Sequence, residues 1–327
     1  MSHATAPRAL RISAPLVLRS LTVPAALLVV ALVFGLASPR FLTATNLLTI
    51  LNQAAVVGVI GIGMTFVLML AGIDLSVGST ATLATVVLSE LLVNHPLPVG
   101  LAMALALLTG VGVGLVNGLL VVKALVPPII VTLGTLSAVQ AIAQYLSGSQ
   151  TTSLDSFGVL TYLGQGYVGR VPVPGIILLV LAGAGQLALA RTAACRRLRA
   201  IGANRDAAAL MGLPVVRSTV AVYVLSGLLA SFAGLIIAGQ LSASTPNAGY
   251  GLELPAITAA VLGGTSLFGG SGSVIGTLVG SILLAAVFNG LILLGFSAFT
   301  QQVATGVILA LTIALNEALR RRSEAAR

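Results

Sequence analysis

The sequence predicts an all-α polytopic membrane protein of about ten transmembrane helices, with one short helix in a long cytoplasmic loop. Three observations predict it. Hydrophobic residues fill 57% of the 327 positions and charged residues 7%, with a mean hydropathy of +1.12, far outside the range of a soluble globular domain. Apolar runs near the ~20 residues that cross a bilayer recur along the chain. The cations gather in a few short segments between those runs. A transmembrane barrel is excluded, because its strands alternate apolar and polar residues whereas these runs are continuously apolar.

In chain order the expected spans are 21–37, 54–70, 75–93, 99–122, 127–146, 172–190, 219–241, 254–268, 274–294 and 299–319. Segment 1–20 reads as a cytoplasmic tail, 21–319 as the membrane domain with a cytoplasmic loop at 191–218, and 320–327 as a second cytoplasmic tail. The first run also has the look of a cleaved signal peptide, since Arg8, Arg11 and Arg19 precede an apolar core. Ten passes put fourteen of the sixteen Lys and Arg residues on one side and only Arg40 and Arg170 on the other. That bias places both termini and the 191–218 loop in the cytoplasm. The net charge of +9 is therefore an orientation signal within a lipid bilayer, not a nucleic-acid surface, and aromatic stacking residues are only 4% of the chain. Cys195 is the single cysteine, so it forms no internal disulfide and belongs to no metal pattern.

Residues 54–93 form an almost unbroken apolar run that as one helix would extend ~60 Å, twice the hydrocarbon thickness. It must break, and Asp74, in AGIDLSVGS between Gly72 and Gly78, marks the place. Asp74 or Ser76 is expected to accept hydrogen bonds from the next turn. The break lies either at the interface or inside the bundle as a discontinuous helix; sequence leaves both open. A second glycine-rich return, LGGTSLFGGSGSVIGTLVG, holds Gly263 and Gly264 and invites a close or re-entrant bend. Its loose likeness to the Asp74 segment is the only sign of an internal, inverted repeat. Small residues at Gly110, Gly112, Gly114, Gly118, Gly227 and Gly234 predict close helix packing, and Asn117 and Asn289 read as polar glue between helices in preference to solute contacts.

No catalytic or metal motif appears, and no phosphate-binding loop that would hold ATP. A transporter of this kind works passively, uses an ion gradient, or borrows an ATPase. Asp74 is the one acidic residue placed for ion coupling; Asp155 and Glu253 read as lying towards the outside and Asp206 in the cytoplasmic loop. In that loop, Asn204 is expected to cap a short helix over 205–211, with Asp206 near its start and Gly212 and Pro214 ending it. Ala207, Ala208 and Leu210 would give this helix a small apolar docking face.

Five segments carry a resemblance: GMTFVLMLAGIDLSVGS at 63–79, NGLLVVKALVPPIIVTLGTL at 117–136, AIGANRDAAALMGLPV at 200–215, YVLSGLLASFAGLI at 223–236, and PNAGYGLELPAITAAVLGGTSLFGGSGSVIGTLVG at 246–280. Over about 45–320 the chain resembles the permease subunits of bacterial ATP-binding cassette importers of the ribose, xylose and galactose type, within a wider group that includes branched-chain amino acid permeases. The resemblance implies a second permease copy or a related permease, and two cytoplasmic ATPase subunits or one tandem ATPase. It also implies an extracytoplasmic solute-binding protein. The loop around Gly202–Gly212 would be the coupling helix on which the ATPases dock, and ATP would be used by them and not bound by this chain. The solute implied is a small sugar; the furanosyl diester signal, branched-chain amino acids and nucleosides are the alternatives, and a gradient-driven transporter is the rival mechanism.

Overall fold

The computed structural model describes the backbone of residues 14–124 and 126–325, and the side chains of 24–124, 126–297 and 299–314. Of the expected tail 1–20, residues 1–13, with Arg8 and Arg11, lie outside the described residues, and 14–20 belong to the first helix. The described chain is a helical bundle. Its helices are α1 (Ala14–Ala37), α2 (Ala44–Met69), α3 (Val77–Ser89, continued by a π-helical turn Glu90–Asn94), α4 (Val99–Lys123), α5 (Pro128–Leu146), α6 (Gly158–Gln165), α7 (Val173–Arg191), α8 (Ala193–Ala203), α9 (Arg205–Leu210), α10 (Val215–Leu241), α11 (Glu253–Leu262), α12 (Val274–Leu293) and α13 (Ala298–Ala325). Four two-residue strands, β1 (Thr152–Ser153), β2 (Tyr167–Val168), β3 (Val171–Pro172) and β4 (Ala243–Ser244), pair antiparallel as β1 with β4 and β2 with β3.

Seven of these helices are long and apolar enough to cross a membrane: α2, α3 with its π-turn, α4, α5, α7, α10 and α12. Among the described residues the apolar parts of α1 and α13 are shorter, Pro24–Ala37 and Phe299–Ala314. The expected span 254–268 is corrected. α11 stops at Leu262, and its 10 residues reach only ~15 Å; Gly263, Gly264 (φ 88) and the glycines that follow take the chain out of helix up to Val274. Apolar continuity hid that end. The span expected from 54 begins earlier, at Ala44, where the Thr43 side chain accepts the amide of Asn46.

α10 is the central post, packed against α4, α2 and α3. Its contact with α4 rests on glycine: a Cβ on Gly110 would strike the carbonyl oxygen of Gly227, and one on Gly227 the carbonyl of Gly110. Such backbone approach is how helices gain dispersion contact where lipid gives no hydrophobic drive. α2, α3 and α10 are the most buried spans, whereas fewer than a third of the residues in α4, α5 and α7 are buried.

Past Leu241 the chain does not stay at the end of the bundle. Ser242 adopts φ 49 and the chain turns back along α3: the Ser244 hydroxyl lies 3.5 Å from that of Thr85, and the Gly249 amide donates to Thr82 Oγ1 at 2.9 Å. The Glu253 carboxylate stands where a side chain on Gly78 would be. From Thr85 to Gly78 this non-helical stretch descends about 10 Å. Glu253, expected towards the outside, is thus inside the bundle.

Substituting Gly110 or Gly227 by Val is expected to cost roughly 1–3 kcal/mol by forcing α4 and α10 apart. Gly112→Val, on the same helix with open space around it, is the control. Thermal unfolding of the purified protein should show a lower Tm for the first two and no change for the third.

Candidate functional site

Two features of the bundle carry polar chemistry: the break between α2 and α3, and the loop that sits against it. α2 ends at Met69 and α3 starts at Val77. Asp74 in the gap is 1% exposed. Its Oδ1 accepts from the Ser76 amide at 3.1 Å and the Ser76 hydroxyl at 2.7 Å, and its Oδ2 accepts from the Ser226 hydroxyl of α10 at 2.8 Å. The Asn117 amide of α4 in turn donates to Ser76 Oγ at 2.8 Å. Asp74 holds Ser76, the residue just before the start of α3, without capping the helix turn that follows, and Ser76 makes no side-chain cap either but links to Asn117. The break is also tied to α5, where Thr132 Oγ1 donates to the Ile73 carbonyl at 3.1 Å.

Ser226 lies eleven residues into α10, about 16 Å from its start at Val215. The gap joins two helices that are each long enough to cross a membrane, and Asp74 within it is buried against the interior of α10. The Asp74 cluster joins α3, α4 and α10 through neutral hydrogen-bond partners. Two neighbouring buried polar atoms, Asn117 Oδ1 and the Tyr223 hydroxyl, have no partner among the described residues.

The loop 191–218 folds as two helices. Thr192 caps α8 by accepting the Cys195 amide at 3.2 Å. Asn204 caps α9 as expected, its Oδ1 accepting the Ala207 amide at 2.9 Å. α9 ends in a Schellman motif: the Gly212 amide donates to the Ala209 carbonyl and the Leu213 amide to that of Ala208, both at 3.0 Å, with Gly212 at φ 74. Leu213 packs on the cluster of Ile201, Ala208 and Val215.

The expected docking face divides in two. Leu210 and Met211 are 89% and 81% exposed, and Asn204, Asp206, Ala207 and Gly212 are exposed with them. Ala208 is buried and faces the bundle, a correction to its expected place on the surface. Gly202 also points inward: a Cβ there would collide with the Met69 carbonyl at the end of α2 and with the Gly270 amide. The Gly270 amide itself donates to the Met69 carbonyl at 2.9 Å. Loop, helix break and glycine-rich return thus meet backbone to backbone. A cavity of 290 Å³ lies at this junction, lined by residues from Leu70–Gly72, Ile201–Arg205 and Tyr223 among others.

Of the residues singled out from sequence, Asp74, Ser76 and Asn117 come together. Gly263 is apart from them, held backbone to backbone against Gly276 at the start of α12, with Gly264 beside it. Asn289 is glue of the expected kind, its Oδ1 accepting from the Asn46 amide at 2.8 Å and tying α12 to α2. Ser226 and Tyr223 were missed. A serine or tyrosine within an apolar span was their only trace.

With this geometry in view the comparisons are decisive. Residues 46–315 match the family described as branched-chain amino acid transport system / permease component. The chain belongs to this permease family. Among its relatives, the permease is 37% identical to the ribose import permease protein of Bacillus subtilis, over 89% of its own length and 90% of the relative's. It is 33% identical to the fructose import permease protein of Rhizobium meliloti, with 91% and 86% covered, and 33% identical to the D-allose transport system permease protein of Escherichia coli, with 89% of each covered. No solved structure matches it. The permease is thus a multi-pass membrane transport subunit and not an enzyme.

The two Asp74 variants separate geometry from charge. Asp74→Asn keeps an acceptor for Ser76 and should retain most solute uptake. Asp74→Leu strands the Ser76 and Ser226 donors, at about 1–3 kcal/mol for each unsatisfied group, and should lower both Tm and uptake.

Proposed function

We propose that this permease imports a small sugar, a pentose or related monosaccharide, as the membrane subunit of an ATP-binding cassette importer. The observation that carries the reading is the near full-length likeness to relatives named as ribose, fructose and D-allose permeases. Two copies of the chain, or one with a related permease, form the path; an extracytoplasmic binding protein delivers the solute. Two ATPase subunits or one tandem ATPase grip the loop 191–218, which lies in the cytoplasm with both termini. Ten passes give this arrangement, with 21–319 in the membrane; α1, α13 and the descending stretch 243–252 continued by α11, which is too short to cross alone, complete the seven long helices.

The coupling helix is α9 with its cap. Leu210 and Met211 are the apolar contacts, Asn204, Asp206, Ala207 and Gly212 shape the exposed face, and Ala208 and Gly202 seat it on the bundle. A push on this face reaches Met69 and Gly270 through Gly202 without an intervening side chain, which suits a rigid-body switch between inward- and outward-open states. The two Gly-flanked breaks, at Asp74 and at Gly263–Gly264, belong to two inverted repeats under this reading.

Three results test it. D-ribose uptake into proteoliposomes should require the ATPase, the binding protein and ATP together; uptake by the permease alone, driven by a proton or sodium gradient, would overturn the importer mechanism. Leu210→Asp combined with Met211→Asp should reduce ATPase co-purification about tenfold, as loss of exposed apolar anchors does, while permease stays in the membrane. Cys195 is buried and is a poor topology probe. Leu210→Cys in a Cys195→Ser background should react with an impermeant thiol reagent only from the cytoplasmic side.

A further inference from the structure

The descending stretch 243–252 carries free backbone into the depth of the membrane. Irregular backbone is tolerated there only when buried in protein or lining a water-filled cavity, because lipid satisfies no hydrogen bond. One side of the stretch is sealed against α3 by Thr85 and Thr82. The other side meets α5. Gln140 Nε2 donates to the Pro246 carbonyl at 2.7 Å and to Asn247 Oδ1 at 3.0 Å, and Gln144 Nε2 lies 3.4 Å from the same oxygen.

Ser137, Gln140 and Gln144 share one face of α5 by their spacing of three and four residues. Ser137 and Gln144 are exposed, as is Asn247. Ser137 and Gln140 stand nine and six residues before the helix end at Leu146, about 13 and 9 Å deep. The lipid-facing pattern elsewhere is different. Along α7 the exposed residues before its end are Leu179, Val180, Gly183, Ala184, Leu187 and Ala190, all apolar or small. An exposed serine with a half-buried amide one turn above it does not match that pattern. Gln140 Oε1 adds a buried acceptor with no partner among the described residues. Tyr145 follows Gln144 and Tyr250 shares a turn with Asn247, and they are 85% and 72% exposed.

We infer that Ser137, Gln140 and Gln144 of α5, with Asn247 and Tyr250 of the descending stretch, line the solute path and hydrogen-bond a neutral, polyhydroxylated solute. The inference rests on the proposed sugar import for its solute class. Side-chain amides donate and accept at once, as sugar hydroxyls do, and none of the five residues carries a charge that would select an ion. Fixing Gln144 on Asn247 leaves its carbonyl oxygen as an exposed acceptor, while that of Gln140 lies buried beside it. Tyrosine offers an apolar ring with a polar tip, suited to the C–H and O–H sides of a sugar.

Single cysteines at Ser137, Gln144 and Asn247, and at Val180 as a lipid-facing reference, are placed in a Cys195→Ser background and assembled with ATPase and binding protein in proteoliposomes. A charged, impermeant methanethiosulfonate should modify the first three about tenfold faster than Val180→Cys, because only a water-filled path admits it. Rates equal to that of Val180→Cys overturn the path assignment. Gln140→Leu and Asn247→Leu should each slow D-ribose uptake about fivefold or more with ATPase assembly intact, the loss expected of one hydrogen bond to solute; undiminished uptake overturns the solute-binding role. Labelling needs no solute, so a wild-type complex that ignores D-ribose, D-fructose and D-allose alike refutes the sugar reading while the thiol rates still decide the path.

Discussion

Wherever a helix stops inside a membrane protein, its freed amides and carbonyls need partners from the protein, since hydrocarbon has none to give. The end of α2 shows how such groups are met. The Gly72 amide returns to the Val67 carbonyl at 3.1 Å and the Ala71 amide to that of Leu68 at 2.8 Å; the Met69 carbonyl takes the Gly270 amide and the Ile73 carbonyl takes the Thr132 hydroxyl. Asp74 then holds the Ser76 amide ahead of α3. The amides are met locally, by the last turn of α2 and by Asp74, whereas the Met69 and Ile73 carbonyls depend on the glycine-rich return and on α5.

That need for partners ties the loop to the membrane core. The Met69 carbonyl bonded by Gly270 is also the atom on which Gly202 rests. Under the proposed coupling role, a displacement of α8 and α9 would reach the end of α2 and the 263–273 return at once and, through Ser226 and Asn117, α10 and α4. Side chains bend and absorb motion; backbone-to-backbone contact at glycine does so far less, because packed interiors resist compression.

Much of this arrangement was legible from local pattern. Asn204, Gly212 and Asp74 obey rules that act within three or four residues, so a cap or a helix end shows directly in the order of residues. The span 254–268 misled because its apolar character continues beyond the helix; the physical stop is Gly263 closing on Gly276, thirteen positions away. Glu253 was placed outside for the same reason: nothing near it in sequence reveals that the chain turns inward along α3. Ala208 belonged to an alanine run in which every position looks alike, and only the Ile201–Val215 cluster distinguishes its buried side.

The sequence by itself determined membrane residence, the long apolar helices, the interruption at Asp74, the short loop helix and the family. Tertiary structure alone decided that Asp74 meets Ser226 and Asn117, that Gly202 rests on Met69, and that 243–252 runs down between α3 and α5. The reason is physical. In a bilayer, lipid-facing and helix-facing surfaces are both apolar, so hydrophobic pattern says that a helix spans but not which neighbour it faces. Partners 41 and 152 residues apart, as Asn117 and Ser226 are from Ser76 and Asp74, leave no periodic trace in the chain.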